Sequence, residues 1–161
     1  MISSLDFIVV AVFALALAVE VKRGFGKAVF DFAALLVAVR AAPMLAGALS
    51  GWIRAAPTPA NEAVLYAVSF AIIGGVLVFL GKLLYDATLV SAETFDPLLG
   101  GFCGIAMAII LCHVLMRTVA LAAGPESVPQ VIRDSAMGTE FLTFESYHRL
   151  VNVLYSFNRE V

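Results

Sequence analysis

Four apolar runs, each close to the length that crosses a lipid bilayer, dominate the chain. They cover residues 5–21, 27–49, 63–84 and 98–123. About 20 apolar residues in a helix span the hydrocarbon core, and a helix satisfies its own backbone hydrogen bonds in lipid. Of the 161 residues, 62% are hydrophobic and 14% are charged, against roughly half and a quarter in soluble domains. The sequence predicts an all-α membrane protein with about four transmembrane helices.

The composition changes after the fourth run, which divides the chain into three parts. Residues 1–123 are predicted to form the transmembrane domain, and residues 124–138 a polar linker. In residues 139–161, polar side chains recur every three or four positions, with aromatic and aliphatic side chains between them. This pattern predicts a C-terminal amphipathic helix that is too polar to span the membrane. Docking at the membrane interface, on the end of the bundle or on a partner protein all fit the pattern.

Small residues recur every four positions in three of the runs, a spacing that lets helix backbones approach closely in lipid. In the fourth run, Gly100 and Gly104 form a GxxxG motif, and we expect both to face another helix at close range. The stripes are Ala34, Ala38, Ala42 and Ala46 in the second run, Ala63, Ala67, Ala71 and Gly75 in the third, and Gly100, Gly104, Ala108 and Cys112 in the fourth.

Three charged residues, Glu20, Asp31 and Arg40, lie within or at the edge of the apolar runs, where a charge is costly unless it is paired or hydrated. Asp31 and Arg40 are nine residues apart, on opposite faces of one helix, so they cannot pair with each other. Asp31 is expected to pair with Lys27, and Arg40 to extend to the interface. Pro43 is expected to bend or end the second helix.

Asp6 and Arg23 mark the two ends of the first helix. Seventeen residues of helix span about 25 Å, less than the ~30 Å of a typical hydrocarbon core. A carboxylate drawn towards the core needs a partner, so Asp6 is expected to accept hydrogen bonds from a neighbouring helix end or from the first turn of its own helix.

Basic residues near helix ends indicate the orientation of the chain in the membrane. Lys22, Arg23 and Lys27 place the first turn in the cytoplasm and both termini outside. Because that turn is short, the first two helices are expected to form an antiparallel hairpin.

Several classes of function are not supported by the residues present. A net charge of -2, from ten basic and twelve acidic residues, provides no basic face for nucleic acid. The sequence contains no nucleophile with a matching base, no phosphate-binding glycine loop and no metal-ligand spacing. We therefore expect no catalytic site, no cofactor and no metal.

Two motifs resemble those of the colicin V production protein family. An aspartate opens the first helix and an Arg-Gly-Phe turn closes it, and a D-x-x-L-G-x-x-x-G segment enters the last helix. The residues are Asp6, Arg23, Gly24 and Phe25, then Asp96, Leu99, Gly100 and Gly104. The sequence departs from the family pattern at Ala28, where an acidic residue is common, and at Met107 and Ala108, where an Arg-Gly pair is common.

The resemblance implies a small bacterial inner-membrane protein with an envelope function and no enzymatic activity. Two functions remain open from the sequence. The first is an assembly or scaffold protein that supports toxin production, export or envelope homeostasis through helix packing. The alternative is a small oligomeric transporter or channel in which Asp31 or Glu20 binds protons. The expected partners are the lipid bilayer and a second copy of the chain or an envelope protein.

Overall fold

Six helices make up most of the part of the chain that this computed structural model describes, residues 3–88, 95–124, 129–146 and 148–149. The four long helices are each long and apolar enough to cross a membrane, which confirms the predicted fold class. They are α1 (Ser4–Arg23), α2 (Phe25–Ser50), α3 (Ala60–Thr88) and α4 (Asp96–Ala123). Two short helices follow, α5 (Gln130–Arg133) and α6 (Gly138–Thr143).

The outer surfaces of the long helices carry large exposed apolar side chains. In water such a surface would be unfavourable over so large an area, whereas lipid tails solvate it without cost. The chain is therefore a membrane protein. Representative side chains of this lipid-facing surface are Phe7, Leu15, Val37, Ile72, Phe79 and Phe102.

The helices pack as two pairs, α1 against α4 and α2 against α3, and α4 also contacts α2 and α3. A one-residue turn joins α1 to α2, but the two helices do not pack along their length. The two helices meet at their turn, but α1 lies mainly along α4. The physical reason is that glycines of α4 admit the backbone of α1, as described below for the candidate site.

Two apolar clusters form the interior, and α4 contributes to both. One lies between α2, α3 and α4 and includes Leu35, Tyr66 and Ile110. The other lies between α1, α4 and α5 and includes Val9 and Ile132. Because opposite faces of α4 contact different partners, this helix is the centre of the bundle.

The stripes of small residues were predicted correctly in α2 and α4 but not in α3. All four alanines of the α2 stripe and all four residues of the α4 stripe are buried. In α3, Ala71 and Gly75 are exposed, and Gly74 and Gly81 face α2 instead. A Cβ added to Gly81 would lie 3.2 Å from Cβ of Phe30, so α3 approaches α2 closely at this glycine.

Pro43 lies inside α2, and the helix continues beyond it to Ser50. Of the two outcomes expected at Pro43, a bend or an end of the helix, the end is not observed. Proline is tolerated inside membrane helices where neighbouring helices support the freed backbone. Ala42 and Ala46, on either side of Pro43, are buried in the cluster shared with α3 and α4, which provides that support.

The C-terminal segment differs from a single helix starting at Thr139. The expected linker contains α5, and α6 ends at Thr143 because Phe144 adopts a left-handed conformation with φ of +52°. Its N–H donates to the carbonyl oxygen of Glu140 (2.7 Å), and helical residues resume at Glu145. Residues 150–161 of the expected amphipathic helix lie outside the described residues.

The described part of this segment packs against the sides of α1 and α4. His113 Nδ1 in α4 donates a hydrogen bond to the carbonyl oxygen of Phe141 (2.8 Å), and its ring stacks on Phe144 at 5.1 Å between centroids. The rings of Phe141 and Phe13 also lie 5.7 Å apart. Of the three placements open from the sequence, α6 therefore packs on the bundle, with contacts that reach Phe13 near the middle of α1.

Candidate functional site

A one-residue turn joins α1 to α2. Gly24 has a φ of +79°, a conformation that favours glycine. Its N–H donates to the carbonyl oxygen of Glu20 (3.0 Å), and its own carbonyl oxygen accepts from the N–H of Ala28 (3.1 Å). Phe25, which is half-buried, is already the first residue of α2. The turn therefore holds the last turn of α1 beside the beginning of α2.

Three charged side chains, Glu20, Arg23 and Asp31, meet beside this turn and are called the turn cluster here. Arg23 Nη1 lies 3.3 Å from Glu20 Oε1 and 2.6 Å from Asp31 Oδ2. The first contact is a hydrogen bond, and the second is a close ion pair without hydrogen-bond alignment. Glu20 is 1% exposed and Asp31 is 3% exposed. With both acids ionised, one positive and two negative groups leave the turn cluster a formal charge of -1.

The pairing of Asp31 corrects the expectation drawn from the sequence. Lys27 was expected to be its partner, but the structure pairs Asp31 with Arg23. Lys27 Nζ instead lies over the ring of Tyr85 in α3, 5.2 Å from its centroid. Arg23 reaches Asp31 because the turn folds α1 back beside α2. Arg40 is exposed on α2 and takes no part in these ion pairs.

The first three turns of α4 lie directly against this turn and the end of α1 that precedes it. A Cβ added to Gly100 would lie 2.5 Å from the carbonyl oxygen of Glu20, and one added to Gly104 would lie 3.0 Å from a carbonyl oxygen of α1. Both glycines therefore face another helix at close backbone distance, as their spacing predicts. A Cβ added to Gly24 would lie 2.7 Å from Asp96 Oδ2. The Arg-Gly-Phe turn and the aspartate-glycine segment thus form one interlocked unit.

A cleft of about 250 Å³ opens beside the turn cluster. Its walls include Arg23 from α1, Lys27 and Asp31 from α2, and Lys82 and Tyr85 from α3. Three of these side chains are cationic, so the buried carboxylate of Asp31 faces a cleft with a basic wall. The arrangement can bind a small anionic group or transfer a proton to Asp31, and it also ties three helices together.

Asp6 is buried at the opposite end of α1 and accepts hydrogen bonds from two parts of the chain. The N–H of Ser3 donates to Oδ2 (2.8 Å), which is the first-turn partner expected from the sequence. The hydroxyl of Ser135 donates to Oδ1 (2.6 Å), and the N–H groups of Ala136 and Met137 donate from 3.4 and 3.2 Å. The prediction that Asp6 is paired is confirmed, and it fastens the segment after α5 to the start of α1.

These two units at the ends of α1 contain the motif residues singled out from the sequence. The chain matches the family model described as Colicin V production protein over residues 5–144. It belongs to this family. The matched region runs from α1 through α6, so it includes both the turn cluster and the hydrogen bonds of Asp6. No curated protein and no solved structure matches the chain.

The chemistry available to this family member at the turn cluster is acid–base and electrostatic. Among the described residues, no group of three or more His, Cys, Asp or Glu side chains is placed to hold a metal ion. Oε2 of Glu20 is buried and has no hydrogen-bond partner among them. Such an oxygen is costly when charged, so protonation or a further donor would stabilise it.

Sequence reasoning missed two features of these sites. Ser135 donates to Asp6 from 129 positions away, and a lone serine in a polar segment gives no signal of that contact. The pairing of Arg23 with both acids could have been predicted from the sequence, because two acids near one turn both need a cation. Placing Arg23 across a one-residue turn from Asp31 would have indicated the pair.

Proposed function

We propose that the protein is a non-enzymatic membrane component that supports colicin V-like toxin production or envelope homeostasis as an assembly or scaffold protein. Membership of the colicin V production family supports a role in toxin production. One observation carries the scaffold role: Glu20 and Asp31, the carboxylates that a transport pathway would use, are held by Arg23 of the same chain. A partly buried ionic cluster of this kind can specify how helices meet, which a scaffold needs.

The packing of the interior supports the same proposal. The α2 stripe and the Gly100–Cys112 stripe of α4 are buried at close helix contacts. Close packing through small residues stabilises a bundle in lipid. The extensive apolar outer surface is then available to a partner, either a second copy of the chain or another envelope protein.

The proposal places the protein in the bacterial inner membrane with the α1–α2 turn in the cytoplasm. Lys22, Arg23 and Lys27 at that turn support this orientation. The start of α1 and the segment after α5, which share hydrogen bonds at Asp6, are then periplasmic. A membrane-impermeant thiol reagent added to intact spheroplasts should label Ser4→Cys and leave Lys22→Cys unlabelled. The reverse pattern would overturn the orientation.

One observation favours a second candidate, a small oligomeric transporter. The cleft of about 250 Å³ reaches Asp31, and Oε2 of Glu20 has no hydrogen-bond partner among the described residues. A carboxylate reached from one side of the membrane is a feature of proton-coupled sites. In this alternative, several copies would form the pathway, because four helices leave little room within one copy.

The two candidates predict opposite results for neutral replacements in a toxin-secretion assay. In a strain that depends on a plasmid copy of the gene, Glu20→Gln and Asp31→Asn keep the size of the side chains. A scaffold with these changes should still support toxin secretion if it accumulates in the membrane. Gly100→Leu, which disturbs helix packing, should not. Loss of secretion in Asp31→Asn, at normal protein level and with unchanged resistance to unfolding, would overturn the scaffold proposal.

A further inference from the structure

A second cleft lies at the opposite end of the bundle from the turn cluster. It has a volume of about 280 Å³ and is formed where α2, α3 and α4 come together. Nothing in the proposed function uses it. Its walls include Pro43 and Gly47 of α2, Glu62 and Tyr66 of α3, and Arg117 of α4.

The polar groups of this cleft are arranged around Tyr66. Tyr66 is 1% exposed, and its hydroxyl has no hydrogen-bond partner among the described residues. The guanidinium of Arg117 lies over its ring, 5.2 Å from the centroid. A cation over an aromatic face keeps all its N–H donors for another group. Tyr66 and Arg117 both line the cleft, so the guanidinium, and the buried hydroxyl once a ligand reaches it, can donate to an anion.

Glu62 adds the opposite charge to the same cleft. It is in the first turn of α3 and is exposed. Although Glu62 and Arg117 both line the cleft, they are not among the ion pairs found in the described residues. A purely anionic ligand would be repelled by Glu62. A ligand that carries an anion and a cation at separate positions satisfies both side chains.

The position of the cleft along the helices indicates where such a ligand would come from. Arg117 lies six residues before the end of α4 at Ala123, about 9 Å along the axis. Ser50 and Glu62 lie at helix ends, and Trp52, which is 91% exposed, follows α2. Tryptophan at a helix end is typical of the membrane–water interface. The cleft is therefore at the depth of lipid headgroups.

We propose that this cleft binds the headgroup of a phospholipid that carries both a phosphate and a primary ammonium group. Arg117 and the hydroxyl of Tyr66 donate to the phosphate, and the carboxylate of Glu62 accepts from the ammonium. The acyl chains lie on the outer surface of α2, where Met44 is 78% exposed beside Pro43. Gly47 leaves room for them, because a Cβ there would meet no atom within 4 Å.

The test is native mass spectrometry of the purified, delipidated protein titrated with defined ligands. Phosphatidylethanolamine should bind more tightly than phosphatidylglycerol, which has the phosphate but no ammonium. Arg117→Gln should weaken phosphatidylethanolamine binding about tenfold, since it removes a charge-assisted contact. Arg133→Gln, an exposed arginine at the same end of the bundle, is the matched control and should not change binding.

A second variant keeps the test decisive if Arg117→Gln does not fold. Glu62 is exposed, so Glu62→Gln should fold normally and remove the preference for phosphatidylethanolamine over phosphatidylglycerol. Equal binding of the two lipids by the parent protein would overturn the proposal. So would tight binding of inorganic phosphate alone that competes with the lipid, which would identify a free phosphate site. An equal effect of the Arg117 and Arg133 replacements would also contradict it.

Discussion

The carboxylate of Asp6 accepts four hydrogen bonds, from one group at the start of α1 and from three groups after α5. Replacing it with leucine leaves those donors without an acceptor and buries an apolar side chain among them. We expect Asp6→Leu to lower the free energy of unfolding, and Asp6→Asn to lower it less because an amide oxygen still accepts. Unfolding of the purified protein in mixed micelles measures the difference.

Asp134 provides the control for this prediction. It is exposed and lies one position before Ser135, at the same end of the bundle. Asp134→Leu should change the free energy of unfolding by less than about 0.5 kcal/mol, as surface substitutions usually do. If Asp6→Leu is as stable as Asp134→Leu, Asp6 does not fasten the segment after α5.

Arg23 is the single cation of the turn cluster. Arg23→Gln leaves Glu20 and Asp31 as two buried acids without their ion-pair partner. The cost should be about 2–3 kcal/mol, below the value for a fully buried pair because the Arg23 side chain is 38% exposed. Lys22→Gln changes the same charge on an exposed neighbour and should have little effect.

A double substitution checks the origin of that cost. Adding Asp31→Asn to Arg23→Gln removes one of the stranded carboxylates, so it should restore part of the lost stability in the same unfolding measurement. Strictly additive destabilisation by the two substitutions would contradict the ion pair between Arg23 and Asp31.

At these positions, the sequence predicts that a charged side chain must be paired, but it does not readily predict which residue pairs with it. A carboxylate near the core of a membrane must be paired, and the carboxylate of Asp6 accepts hydrogen bonds as expected. The predicted partner of Asp31 was wrong. Lys27 is the nearer cation along the helix, whereas Arg23 is nearer across the turn. Long-range partners such as Ser135 depend on the path of the chain, which local spacing does not determine.

Contacts between helix backbones determine the packing of α1 on α4. Leucine at Gly100 would place a side chain where the carbonyl of Glu20 lies, and the two helices would have to separate. We expect Gly100→Leu to destabilise the bundle by about 1–3 kcal/mol through overpacking. Gly75→Leu is the control, since Gly75 in α3 is exposed and has open space around it. Its stability should be close to that of the parent, and similar losses in both variants would contradict the packing of α1 on α4.

Helix faces were predictable only where small residues are confined to one stripe. In α4 the GxxxG motif fixed the contact face correctly. In α3 the adjacent pair Gly74 and Gly75 offered two registers, and the four-residue spacing from the buried Ala63 leads to the exposed Ala71 and Gly75. An apolar helix in lipid can have apolar residues all round, so hydrophobicity does not distinguish the buried face from the lipid face.

For the whole molecule, the number of spans followed from the length of the apolar runs, because bilayer thickness sets it. Which of these helices pack against each other did not follow from the apolar runs. Adjacent runs joined by a short turn suggested a hairpin of α1 and α2, but the glycines of α4 admit α1 more closely. The C-terminal segment docks where Asp6 and His113 provide hydrogen-bond partners. These contacts join segments that are distant in the sequence, so they depend on how the bundle is assembled.

The central claim is that the buried carboxylates hold the helices together and do not carry solute. Proton and sodium flux into liposomes reconstituted with the purified protein tests it most directly, with empty liposomes and the Asp31→Asn variant measured beside the parent. All three preparations are expected to show the same flux under an imposed pH or sodium gradient. Flux above that of empty liposomes in the parent, lost in Asp31→Asn, would contradict it.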